Sequence, residues 1–490
     1  MPCPKTHRVS MKLFLFILLQ LGSPLEKFQQ LLDTIQNDRE ISTGTVAASI
    51  RSTQSGHYKI QYNAGKSVNS ASTLKLVSTA TALSVLGPDY KFKTFIEYDG
   101  TLADSVLKGN VYIRGTGDPS LGSSRVGPDF QQLVSLFARQ IKDFGIKRIE
   151  GYILGDGSVF PENTLADSWV WGDIGNYYGA GVSGLNVNEN LYEIYFKPSK
   201  SLNTEAPITR ISPAVPDITL ISKVTTGERG SGDNVMVYNT PLSNIIVAEG
   251  TVPMGPASFI VKGSLPDPAY LLAHHVYLKF QELQGQVSNM ALSWQQYKTR
   301  FRPSDKPRSP IFIYESPGLS ILAQHCNFQS INLYADAFLK TVGYTLNKDA
   351  GFDGSVKAVK KLWAQRGVDL QGFMMRDGSG LSPSGVLTAN NLTDILFTMS
   401  TDGAFKEFYA GIPTVGVNGT VQGLAKGSKA AGNVRAKSGS IANTRAFSGY
   451  YTAANGELMA FTFIINRYAD GADRKARKYL EDMIKLMVEI

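Results

Sequence analysis

From Pro24 to Asp38 apolar residues recur at Leu25, Phe28, Leu31, Leu32 and Ile35, the spacing of one helical face. Short apolar runs follow on either side of a Ser/Gly turn, "TVAASI" (Thr45–Ile50) and "HYKIQYNAG" (His57–Gly65), and predict a strand pair. A helix is expected through "NSASTLKLVSTATAL" (Asn69–Leu83), stopped by Gly87 and Pro88. From Phe92 to Pro266 alternation dominates, in stretches such as "NVYIRGTGD", "NLYEIYFKP" and "NVMVYN". Only Asp129–Gly145 has helical spacing there, so this region reads as one or two β-rich inserts. Helices return after Pro268, over Ala269–Gln284, Gly318–Gly343, Phe352–Arg366, Thr388–Ser400 and Thr401–Gly411. The end is strand-rich ("VRAKSGS", "TRAFSGYYTA", "LMAFTFIIN"). A last helix, Ala472–Ile490, carries Ala476, Leu480, Met483, Ile484 and Met487 on one face. The pattern predicts an α/β body, residues 24–91 and 268–490, split by a β-rich insert, residues 92–267. No fixed-period repeat is present.

The length of 490 residues, with 43% hydrophobic and 18% charged, supports several ordinary globular domains. A net charge of +8 without a long basic run argues against nucleic acid and is compatible with an anionic wall or membrane surface. Lys5, His7, Arg8 and Lys12 precede the apolar run Leu13–Leu21, the layout of a secretory signal over residues 1–23. That run is too short to span a bilayer, and no later segment qualifies, so no integral membrane segment is expected in the mature chain. Cys3 would leave with the signal, and the remaining Cys326 cannot form an internal disulfide; it reads as a buried structural thiol. The five histidines lack zinc-ligand spacing, and no Walker loop or Gly-x-Ser-x-Gly elbow occurs. No metal or cofactor is expected.

The predicted helix at Asn69 opens with Ser72 and Lys75, three positions apart and therefore on one face. A serine hydroxyl becomes a useful nucleophile only when a base removes its proton. Lysine can be that base if burial lowers its pKa, and Leu74, Leu76, Val77, Ala80 and Leu83 would bury it. Alone, Ser-x-x-Lys also fits a helix cap with a solvent-reaching lysine, and it recurs at Ser105–Lys108 between predicted strands. Lys437, Ser438 and Gly439 lie on a predicted strand, where they suit a substrate carboxylate, and Ser440 N–H could serve an oxyanion. An edge strand guarded by a lysine reads the same way. Ser330 and Asn332 form a Ser-x-Asn pattern that also occurs at Ser67–Asn69 and Ser201–Asn203. The order Ser-x-x-Lys, Ser-x-Asn, Lys-Ser-Gly is the informative feature, because it is the pattern of serine β-lactamases and penicillin-binding proteins.

With these motifs, "GDPSLG" (Gly117–Gly122), "GDGSVF" (Gly155–Phe160), "VNEN" (Val187–Asn190), "NLYADAFLK" (Asn332–Lys340) and "DGSGLSP" (Asp377–Pro383), the chain resembles the class C low-molecular-mass penicillin-binding proteins. These are D-alanyl-D-alanine carboxypeptidases/endopeptidases, and the resemblance covers nearly the whole mature chain. It implies a serine β-lactamase/transpeptidase-like α/β (α+β) domain split by the insert. It also implies a periplasmic location, peptidoglycan stem peptides as substrates and β-lactams as inhibitors. The implied roles are Ser72 as nucleophile, Lys75 as its base, Ser330 with Asn332 as proton relay, and Lys437 with Ser438 at the substrate carboxylate. Gly439 would let the backbone approach, and the N–H groups of Ser72 and Ser440 would hold the oxyanion. "DGSGLSP" is expected to support the cleft floor. Lys-Ser-Gly replaces the commoner Lys-Thr-Gly and keeps the hydroxyl; Ile331 is apolar where the family often has Asp or Asn. A β-lactamase-like hydrolase and a non-catalytic wall-binding protein are the alternatives. A homodimer is compatible with the sequence.

Overall fold

The structure, a computed structural model, describes residues 22–303 and 306–490. The expected signal segment up to residue 21, with Cys3, lies outside them. Ser23 is the N-cap of helix Pro24–Gln36, its Oγ accepting from the Glu26 N–H while the Glu26 carboxylate receives the Ser23 N–H at 2.7 Å. Phe28, Leu32 and Ile35 are buried as the spacing predicts, and Leu25 stays exposed.

The α/β body is built on one five-stranded antiparallel sheet, in the order Arg435–Ile441, Thr444–Thr452, Leu458–Asn466, Thr45–Ser52, Tyr58–Tyr62. Chain segments about as distant as the sequence allows therefore pair, Thr45 opposite Asn466 and Ser52 opposite Met459. Both sheet faces are covered, so the central strands are apolar on both sides. Phe461, Phe463 and Ile465 meet the helices Pro24–Gln36 and Asp473–Met487 on one face. Ala460 and Ile464, one step out of phase, meet the helical lobe on the other. The last helix buries Ala476, Leu480, Met483, Ile484 and Met487, the face read from the sequence.

The insert has its own core. Helices Phe130–Asp143 and Pro268–Glu282 pack over a five-stranded sheet of residues 292–293, 153–156, 111–115, 93–98 and 309–315, and two three-stranded sheets extend it. The helix at residue 268, expected to return the chain to the body, packs on the insert core. Leu271, Leu272, Ala273, Val276 and Phe280 bury with Phe137 and Ile141 of the insert, and Ser309–Glu315 pairs with Lys93–Tyr98. Helical periodicity reports a buried face without saying which core receives it. Phe92 N–H donates to Ser316 Oγ, and Ser316 N–H to Phe92 O, both at 3.0 Å. We propose this neck as the boundary, with the insert spanning residues 92–316.

A second correction bears on the site. The single helix expected over Gly318–Gly343 is two, Leu319–Gln329 and Asn332–Asn347, broken where Ser330 is left-handed (φ 58°, ψ 41°). Such a C-terminal position usually holds glycine, because a Cβ is strained there.

Candidate active site

The Ser72 turn comes first. Ala71–Leu74 forms a 3₁₀ turn that runs into helix Lys75–Leu86, whose residues through Leu83 are all buried. Lys75 is fully buried, and its Nζ lies 2.8 Å from Ser72 Oγ, 2.6 Å from Asn332 Oδ1 and 2.7 Å from the Ser379 carbonyl. The Asn332 amide is oriented by its other end, since Nδ2 donates to Tyr178 O at 2.7 Å. Burial brings the Lys75 ammonium down to about 8, against the opposing pull of Cys326, Asp336 and Asp377.

The Lys437 strand is the edge of the body sheet and packs against the Ser72 turn. Lys437 is fully buried and donates to Ser330 Oγ at 2.9 Å and Ser438 O at 2.8 Å, so it is no solvent-facing guard of an edge strand. Burial first, then the charge of Lys75, hold Lys437 well below an ordinary lysine. The loss of basicity at Lys75 is a burial effect. Gly439 is required by contact: a Cβ there would lie 2.6 Å from Ser70 O and 3.2 Å from Thr73 N. Ser438 Oγ shares a 2.7 Å hydrogen bond with Thr420 Oγ1, and Ser440 Oγ accepts from Arg445.

Ser72, Ser330, Asn332 and Ser440 line one cleft of about 950 Å³, with Tyr177 and Tyr178 of the insert opposite Gly380 and Leu381. Lys75 and Lys437 sit beneath it. The three motifs thus converge, although Lys75 and Asn332 are 257 residues apart. Of the chance matches, Ser67 and Asn69 also line this cleft, but Ser67 Oγ donates to Gly372 O and Asn69 Nδ2 to Ser382 O, so neither side chain meets Lys75 or Lys437; Ser105 turns between two short strands with φ 64°, and Ser201 lies in an insert loop.

The sequence reading missed the contributions of Tyr178, Thr420 and the backbone of Ser379. "DGSGLSP" carried the signal for the last. Asp377 accepts from the N–H groups of Gly380 (2.8 Å) and Ser382 (2.7 Å) and from the Trp169 indole (2.7 Å), which fixes the loop holding the Ser379 carbonyl on Lys75. Cys326 is buried in the helical lobe, its thiol pushed up to about 12 by burial, as expected for a structural cysteine. Among the described residues no group of His, Cys, Asp and Glu is arranged to hold a metal ion, and no helix is long and apolar enough to cross a membrane.

Ser330 yields one prediction. Ser330→Gly relieves left-handed strain of about 1 kcal/mol but takes a partner from buried Lys437, an opposing effect of similar size. The melting temperature should stay within a few degrees, while acylation, followed by the rate of covalent penicillin labelling, should fall about 100-fold for the proton relay that the motif order implies at Ser330.

A serine beside a buried amine, faced by a second amine–hydroxyl pair, places the molecule among the active-site-serine peptidases that share the penicillin-binding fold. Residues 28–486 match the D-Ala-D-Ala carboxypeptidase 3 (S13) family, and the chain belongs to it. The D-alanyl-D-alanine carboxypeptidase of Actinomadura sp. (strain R39) is 24% identical over 471 residues, covering 92% of this chain and 83% of the relative. The D-alanyl-D-alanine carboxypeptidase DacB of Haemophilus influenzae is 26% identical over 420 residues, 84% of this chain and 83% of the relative. The crystal structure of penicillin binding protein 4 from Haemophilus influenzae superposes with a TM-score of 0.78 at 22% identity, covering 93% of this chain and 97% of that one. The fold is therefore the penicillin-binding one with a large insert, and the protein is a peptidase.

Proposed function

We propose that this chain removes the terminal D-Ala of peptidoglycan stem peptides through an acyl-enzyme on Ser72, and that β-lactams trap the same intermediate. The observation that carries the reading is the trio of partners around Lys75 Nζ. A neutral amine has two N–H donors and one lone pair. Asn332 Oδ1 and the Ser379 carbonyl can only accept, so they take both donors and leave the lone pair facing the Ser72 hydroxyl. The hydroxyl then donates, and Lys75 is a general base aimed at one proton.

As Lys75 takes that proton, Ser72 Oγ bonds to the carbonyl carbon of the penultimate D-Ala. The N–H groups of Ser72 and Ser440 stabilise the oxyanion. The C–N bond breaks as Ser330 Oγ–H passes a proton to the departing amine and is reprotonated from Lys437. The terminal carboxylate of the substrate, held by Lys437, Ser438 and Thr420, restores the ammonium form of Lys437 that burial disfavours. Water then attacks the ester and gives up its proton through Ser330 to Lys437, left neutral by the first half, while Lys75 returns its proton to Ser72 Oγ as the C–O bond breaks. The substrate's location implies export to the periplasm behind the N-terminal signal.

Purified protein should acquire a fluorescent-penicillin label that survives denaturation, and release D-Ala from a pentapeptide ending in D-Ala-D-Ala. Rapid turnover of penicillin without D-Ala release would make it a β-lactamase. Neither label nor D-Ala would leave a wall-binding protein without catalysis.

A further inference from the structure

Asn332 and Asp336 lie one turn apart on helix Asn332–Asn347, so they face the same neighbours. Asn332 meets Lys75 directly. Asp336 is fully buried and has no place in the reaction just described. Its Oδ1 accepts from Gly378 N–H at 2.6 Å, and its Oδ2 has no partner. The Ser379 hydroxyl, next to Gly378 on the same loop, has no partner either. A carboxylate with a single donor and no access to water is poorly solvated, so the neutral acid is the favoured form.

The Gly378–Ser379 dipeptide links this acid to the base. The Gly378 N–H goes to Asp336, its carbonyl accepts from Ser78 Oγ at 2.6 Å, and the Ser379 carbonyl accepts from Lys75 Nζ at 2.7 Å. A Cβ on Gly378 would lie 2.4 Å from Ala335 O, so the loop rests directly on the Asp336 helix. The charged and titratable groups around the pair are Asp377 on the loop, Cys326 on helix Leu319–Gln329, Lys340 one turn further along the same helix, and Lys437 on the edge strand. Burial, reinforced by Asp377, pushes Asp336 up to about 8, and Lys75 pulls it back.

We propose that Asp336 is a positioning residue for Lys75: as the neutral acid it holds the Gly378–Ser379 peptide against the amine, and its ionisation converts Lys75 to the ammonium. The inference rests on Lys75 being the general base. Moving one proton from the Asp336 carboxyl to the Lys75 amine leaves the net charge unchanged and produces a carboxylate and an ammonium. Of these two forms, the acid–amine one alone can accept the Ser72 proton. A residue at 336 that cannot ionise removes the unproductive form, so Lys75 should lose its proton at lower pH.

The test is the pH profile of fluorescent-penicillin acylation of the full chain. Asp336→Asn keeps an acceptor for the Gly378 N–H and cannot carry charge. Its acid limb should move down by about one pH unit, raising the rate below the wild-type limb by up to tenfold. Asp336→Ala also removes the acceptor and should acylate about tenfold more slowly than Asp336→Asn at every pH, as the loop loosens. Labelling rate constants report only folded molecules, so partial unfolding does not confuse the comparison. An unchanged limb in Asp336→Asn, or a uniform loss across pH, overturns the proposal. A wild-type protein that takes no label would instead overturn the reading of Ser72 and Lys75.

Discussion

Ser72→Ala should abolish both penicillin labelling and D-Ala release, by about 10⁵-fold or more, in a protein that melts close to wild type. Among the described residues the Ser72 hydroxyl is the one proton donor on Lys75 Nζ, so no neighbour replaces it. Ser330 Oγ is held by Lys437, and Ser379 Oγ is buried without a partner. Ser72 is only partly buried and caps no helix through its side chain, so little stability depends on it. Covalent labelling on a denaturing gel and calorimetry of the same preparation check the two halves. Residual labelling at another serine would mean that the nucleophile is misassigned.

Lys75→Met should lower acylation about 10³-fold or more, because the serine proton then has no acceptor. Its effect on stability is a balance. A lysine brought from 10.5 to about 8 carries a desolvation penalty of about 3 kcal/mol in the ammonium form, which methionine removes. The same change leaves Asn332 Oδ1 and the Ser379 carbonyl without their donor, at about 1–3 kcal/mol each. The effects are of one size and opposite sign, so the melting temperature should change far less than the rate.

The wild-type pH dependence follows from the same group. The amine must be neutral to act, so acylation should fall about tenfold per pH unit below the Lys75 limb near pH 8. The linkage to folding has the opposite reference. The unfolded chain holds the lysine proton up to about 10.5 and the native chain releases it near 8, so this residue's contribution to stability rises with pH between those values. Below about 8 the full penalty applies. Stopped-flow acylation and denaturant titration between pH 6 and 10 separate the two.

Much of this was legible in the chain itself. The face of the last helix, the strand pair at Thr45 and Tyr58, and the one long helix in the early insert were read correctly, because periodicity is a local property. The motif order selected Ser72, Ser330 and Lys437 from several chance matches. Three features escaped. The Pro268–Glu282 helix joins the insert core, a choice between two apolar surfaces that its own periodicity cannot make. The helix break at Ser330 depends on a left-handed residue that is not glycine, so no local signal marks it. Asp336 looks like one polar residue in an apolar helix, and nothing beside it in sequence says that Gly378 will be its partner.

The sequence by itself determined which side chains are available: an amine three residues from a hydroxyl, a second such pair on a strand, and glycine where backbones must touch. Only the tertiary structure decided their protonation and direction. Burial takes water away from Lys75, Lys437 and Asp336 together, and a carbonyl more than 300 residues along the chain occupies the donor that would otherwise blur the aim of the base. Desolvation and orientation are properties of a whole enclosed volume, so they first exist when distant segments close around it.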